Sequence, residues 1–104
     1  MNARSMVQLV LAYPRPAERQ LLAELLDLEP GMGGFTTLLA EGHGSGFARA
    51  SVQEQVRGRA DRGLLLAVMP RETAERLLAG LRERLPSNEI AWWILPVESF
   101  GRLA

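Results

Sequence analysis

The sequence predicts a single α+β domain of element order βαββαβ, and three observations carry that expectation. The chain repeats itself: sliding it until Leu9 falls on Leu65 also superposes Pro14 on Pro70, Arg15 on Arg71, Leu21 on Leu77, Leu22 on Leu78, Leu25 on Leu81 and Pro30 on Pro86. Each repeat holds an apolar stripe at helical spacing bounded by prolines. Each is also preceded by a segment whose apolar residues alternate with period two. At 104 residues and 11.5 kDa, two separate cores would leave each half too short to fold unaided, so residues 1–104 form one domain.

Taken in order, Val7, Leu9, Leu11 and Tyr13 alternate with Met6, Gln8, Val10 and Ala12 as a strand that Pro14 ends. A helix follows with Glu18 in its first turns, where the dipole favours acid, and with Ala17, Leu21, Leu25 and Leu28 on one stripe. Pro30 stops it, GMGG at 31–34 turns, and a second strand runs from Phe35 to about Glu41. The second repeat has a strand over Leu64 to Met69, then a helix with Glu72 and Glu75 near its start and Arg82 and Arg84 at its end. Its stripe is Ala74, Leu77, Leu78, Leu81 and Leu85, and Pro86 and SNE lead into a last strand, IAWWILPV. Two right-handed split βαβ units of this kind make a ferredoxin-like sandwich: a four-stranded antiparallel sheet with two helices on one face.

That geometry leaves one sheet face uncovered. The first, third and fourth strands are apolar on both alternating sets, and Trp92 and Trp93 must point to opposite sides. A bare face with Met6, Val10, Leu64 or Leu65 and one tryptophan exceeds what a monomer normally exposes, so self-association is expected.

Composition removes several functions. No cysteine means no disulfide, thiolate metal site or thiol catalysis. All twelve bases are arginine, which excludes a Schiff-base or P-loop lysine, and they balance twelve acids, which argues against a nucleic-acid partner. The longest apolar run, Ile90 to Val97, is far too short for a spanning helix, and the N-terminal segment reads as the first strand of a cytoplasmic protein rather than a leader. No nucleophile, base and orienting acid can be assembled from the few Ser and Thr and a single His, so the expectation is a protein that is not an enzyme.

Candidate chemistry concentrates between the second and third strands, at about 42–62, far longer than a hairpin needs. Gly42, Gly44 and Gly46 could wrap an anion in backbone amides, with Arg49, Arg57 and Arg59 supplying charge; a solvated loop is the plain alternative. His43 could bind a metal or be only a loop residue. The tryptophan pair could stack a planar ligand, but core and interface packing is the stronger expectation for the strand that carries it.

The whole chain resembles the PII-like signalling proteins. The second strand running into EGHGSG is similar to the exit of that family into its long T-loop, QVRGR before LLLAVMP resembles the return, and ILPVESFGRLA resembles the closing Pro-Val-Glu segment with its phosphate-contacting arginine. Within the superfamily it is most similar to an uncharacterised proteobacterial group encoded beside heavy-metal efflux pumps. The resemblance implies a homotrimer with ligands in clefts between subunits and loops that touch a partner such as a membrane transporter or efflux-pump component. It puts Gly42 and Gly44 at the ligand, Arg102 on the phosphate-contacting position, and Arg49, Arg57 and Arg59 on the partner-binding loop. Where PII proteins carry a lysine-bearing loop this chain has LPSNE, Ala104 replaces a second terminal arginine, and the loop lacks the tyrosine that some members modify. ATP or ADP binding is therefore expected to be weak or absent. Two functions follow: a trimeric sensor or adaptor for a small molecule or ion, and a CutA-like divalent-metal tolerance protein using His43.

Overall fold

In a computed structural model, which describes residues 5–44 and 60–104, the two repeats fold as halves of one sandwich. The elements are β1 (Met6–Pro14), α1 (Glu18–Leu28), β2 (Thr36–Gly42), β3 (Ala60–Pro70), α2 (Arg71–Arg84) and β4 (Ala91–Pro96). All pairing is antiparallel in the order β2-β3-β1-β4, so the repeats' first strands lie side by side at the centre. The core joins Val7, Leu9, Leu11 and Tyr13 of β1 and Leu65, Ala67 and Met69 of β3 to the apolar stripes of both helices. Among the described residues no helix is long and apolar enough to cross a membrane.

Element ends depart from the sequence expectation in two places. Arg15–Ala17 forms a 3-10 turn before α1, so Ala17 is only half-buried and the α1 stripe begins at Leu21. Pro16, in the first turn of this element, has no backbone N–H to offer it, whereas α2 starts directly after Pro70. β3 begins at Ala60 rather than Leu64 because β2 continues to pair with it, Glu41 opposite Asp61 and Gly42 opposite Ala60. Backbone hydrogen bonding, not hydrophobicity, sets that end.

The open face carries Met6, Gln8 and Val10 of β1, Leu64, Leu66 and Val68 of β3, and Trp93 and Leu95 of β4. Leu64, not Leu65, belongs to this side. Trp92 stands opposite Leu11 on the helix side and Trp93 opposite Val10 on the open side, each 42% exposed. Val10 is buried even here, between Leu66 and Trp93.

At the end of β1 the fully buried ring of Tyr13 lies over Gly63, its cross-strand partner. A Cβ on Gly63 would stand 2.6 Å from the ring Cζ and 2.8 Å from the hydroxyl. The hydroxyl donates to the Glu18 carboxylate at 2.6 Å, tying the strand to the start of α1. Burial, and then the bond and charge of Glu18, push the phenol well above its ordinary value of 10.0, with Arg15 opposing. Because the folded-state value is raised, the stabilisation is complete below about pH 10 and is lost as pH climbs beyond it. The chain has no lysine or cysteine and no second tyrosine to ionise alongside Tyr13. Tyr13→Phe should therefore cost about 1 kcal/mol at pH 8 and flatten the alkaline loss of stability. Urea unfolding of both proteins at pH 8 and pH 11 checks this, and parallel losses in the two would contradict it.

Candidate functional site

The sequence-expected site residues fall at opposite ends of β2. At one end Gly42 closes the strand opposite Ala60, and the chain leaves through exposed His43 and through Gly44, whose φ of +99° strains any side-chain-bearing residue. A Cβ at Gly42 would lie 2.8 Å from Arg62 Cγ, so the glycine accommodates the arginine stem laid across it. The Arg62 guanidinium then donates to the Glu89 carbonyl at 2.9 Å, linking the loop base to the segment before β4. Beside this end Arg15 and Arg62 share an open cleft with Glu41 and Asp61. Arg15 Nε is buried there with no hydrogen-bond partner among the described residues. His43 makes no hydrogen bond or ion pair among the described residues, and no group of three or more His, Asp or Glu placed to hold a metal occurs among them.

At the other end stands Arg102. After β4 the chain keeps one more ladder bond, Val97 N–H to the Met6 carbonyl at 3.2 Å, and its terminal segment then lies beside the start of β2. There Arg102 and Phe100 border a cleft of about 460 Å³ with Gly33, Gly34, Thr36 and Gln8. No described residue lies within 4 Å of where a Cβ would stand on either glycine, which leaves their backbone open to close approach. Leu66 and Val68 add apolar wall. A ring can lie against Phe100 and these side chains, Thr36 and Gln8 offer hydrogen bonds, and Arg102 offers a cation. This set suits a flat, polar, anionic molecule.

One chain does not bring the two groups together. Thr36 and Gly42 bound β2, and six residues of strand span about 20 Å. Arg49, Arg57 and Arg59 lie outside the described residues. Gly33, Gly34, Thr36 and Phe100 were not singled out from sequence: GMGG reads as a turn, and only the return of the terminal segment makes it a cleft wall. The available signal was glycines beyond what a turn needs, together with an aromatic two residues before Arg102.

The family model for "Protein of unknown function (DUF3240)" matches residues 3–104. The chain belongs to the DUF3240 family. Its fold is that of a DUF3240 protein from Shewanella baltica OS155, at TM-score 0.75 and 20% identity over 100% of both chains. It is also that of CPII, a nitrogen regulatory PII-like protein from Thiomonas intermedia K12 whose structure holds ADP, AMP and bicarbonate, at TM-score 0.69 and 19% identity over 95% of this chain and 96% of that one. Arabidopsis thaliana PII bound to citrate matches at TM-score 0.69 and 15% identity, over 95% and 83%. Comparison with curated proteins found no match. This DUF3240 chain thus has the PII-like, ferredoxin-like fold.

Proposed function

We propose that this DUF3240 protein is a non-enzymatic PII-like regulator. It works as a homotrimer, binds a small anionic effector in the clefts between subunits, and signals to a partner, a membrane transporter or efflux component, through the loop bearing Arg49, Arg57 and Arg59. The division of the site carries this reading: Gly42 and Gly44 at one end of β2 and Arg102 at the other meet on one ligand only if two copies contribute. The apolar open face supplies the reason for copies to associate. CPII holds ADP, AMP and bicarbonate and the plant PII holds citrate; all are anions, and the adenine nucleotides also carry the flat ring that the Arg102 cleft suits.

The segment before β4, LPSNE, contains no cationic side chain, so a third phosphate would lack its counter-charge. Each such charge-assisted contact is typically worth about 1.5–3 kcal/mol. AMP, bicarbonate or citrate should therefore bind better than ADP or ATP, and Arg102→Ala should weaken the preferred effector at least tenfold, about 1.4 kcal/mol. Isothermal titration of the wild type and the variant decides. Micromolar ATP binding indifferent to Arg102 would overturn the proposal, and divalent-metal binding lost in His43→Ala would replace it with a metal-responsive role.

A further inference from the structure

A third cleft opens on the helix side of the sheet, away from the open face and from the Arg102 cleft. It has a volume of about 260 Å³ and lies between the end of α2, the Leu85–Ile90 segment and β4. Leu11 and Leu21, each 1% exposed, form its floor, Leu81 and Ile90 its sides, Trp92 one wall, and Arg82 stands at the rim. It is a surface crevice open to solvent on one side, and half-buried Leu85 and Ile90 with the Trp92 ring supply its accessible apolar surface.

The rim distinguishes this cavity from a packing fault. Two other arginines of α2 are paired across to α1: Arg76 with Glu29 at 3.0 Å, and Arg84 with Glu24 at 3.0 Å and Asp27 at 2.6 Å. Arg82 has no carboxylate partner among the described residues. Its guanidinium sits instead over the Trp92 ring, 5.1 Å from the centroid. An arginine over an aromatic face keeps in-plane N–H groups free to donate to a carboxylate. The apolar walls and the unpaired cation therefore complement the two ends of one kind of molecule.

We propose that this crevice binds a small monocarboxylate, with its short alkyl chain or single ring against Leu85, Ile90 and Trp92 and its carboxylate on Arg82. The apolar body regains contacts that an empty cavity forfeits. The charge-assisted bond to Arg82 selects the acid over its uncharged analogue. This site is independent of the effector cleft and does not rest on its ligand.

The test uses Trp93→Phe protein, in which Trp92 is the sole indole, titrated with hexanoate, hexanol and acetate while its fluorescence is followed. Hexanoate should give a saturable change, hexanol should bind at least tenfold more weakly, and acetate, lacking the apolar body, should give none. Arg82→Gln should erase the preference for hexanoate over hexanol, Arg82→Lys should keep part of it, and Arg102→Ala should leave it intact. Equal binding of acid and alcohol, an unchanged preference in Arg82→Gln, loss of hexanoate binding in Arg102→Ala, or no saturable change with hexanoate would each overturn the proposal.

Discussion

Leu66→Glu should convert the proposed homotrimer into single chains. Leu66 lies on the open face at the centre of the sheet, hydrogen-bonded in register between Val10 of β1 and Thr36 of β2. In one chain the new carboxylate reaches water and the fold survives, since the helix-side core is untouched. In a three-fold assembly that buries this face the substitution occurs three times, and each unpaired buried carboxylate costs several kcal/mol. That exceeds what one lost apolar contact could account for. Trp93→Ala, which removes a side chain from the same face, should weaken assembly by about 3–5 kcal/mol if it is buried there. Sedimentation velocity reads both effects. An assembly that tolerates Leu66→Glu would mean that the open face is not the interface.

Gly63→Ala should be the most damaging methyl addition among the described residues. Its Cβ would fall within the Tyr13 ring's own contact distance, 2.6 Å from Cζ. The ring cannot move aside, being fully buried and held by Glu18. Overpacking of this kind costs about 1–3 kcal/mol, and displacing the Tyr13–Glu18 bond adds about 1 kcal/mol. For a chain of this length such a loss should lower the melting temperature by roughly 10 °C or more. Gly31→Ala, with nothing within 4 Å of the added carbon, should change stability by less than about 0.5 kcal/mol. Equal melting temperatures for the two variants would contradict the packing described at Tyr13.

The fold was legible because its information is local and periodic. The prolines at 14, 30, 70 and 86 punctuate the repeats, and period-two alternation placed Trp92 and Trp93 on opposite faces before any register was known. Which of Leu64 and Leu65 faced outward depended on the β1–β3 register, a tertiary fact that an apolar run on both faces conceals. The start of β3 was missed for a related reason: Ala60, Asp61 and Arg62 carry no strand signal and are extended because β2 pairs with them. For the candidate site the sequence offers Gly42 and Gly44 by composition and, by resemblance, Arg102. Arg102 stands out by resemblance, but its setting with Gly33, Gly34, Thr36 and Phe100 comes from the terminal segment folding back. The Trp92 crevice likewise depends on how α2 and β4 diverge, which no spacing in the sequence records.

Because Gly42 and Arg102 stand at opposite ends of β2, a single chain cannot place both on one effector, and the mass of the protein in solution is the most direct test of an effector cleft shared between copies. Light scattering at micromolar concentration should report three chains of 11.5 kDa each. A stable, folded species of one chain would contradict both the interface on the open face and the shared cleft.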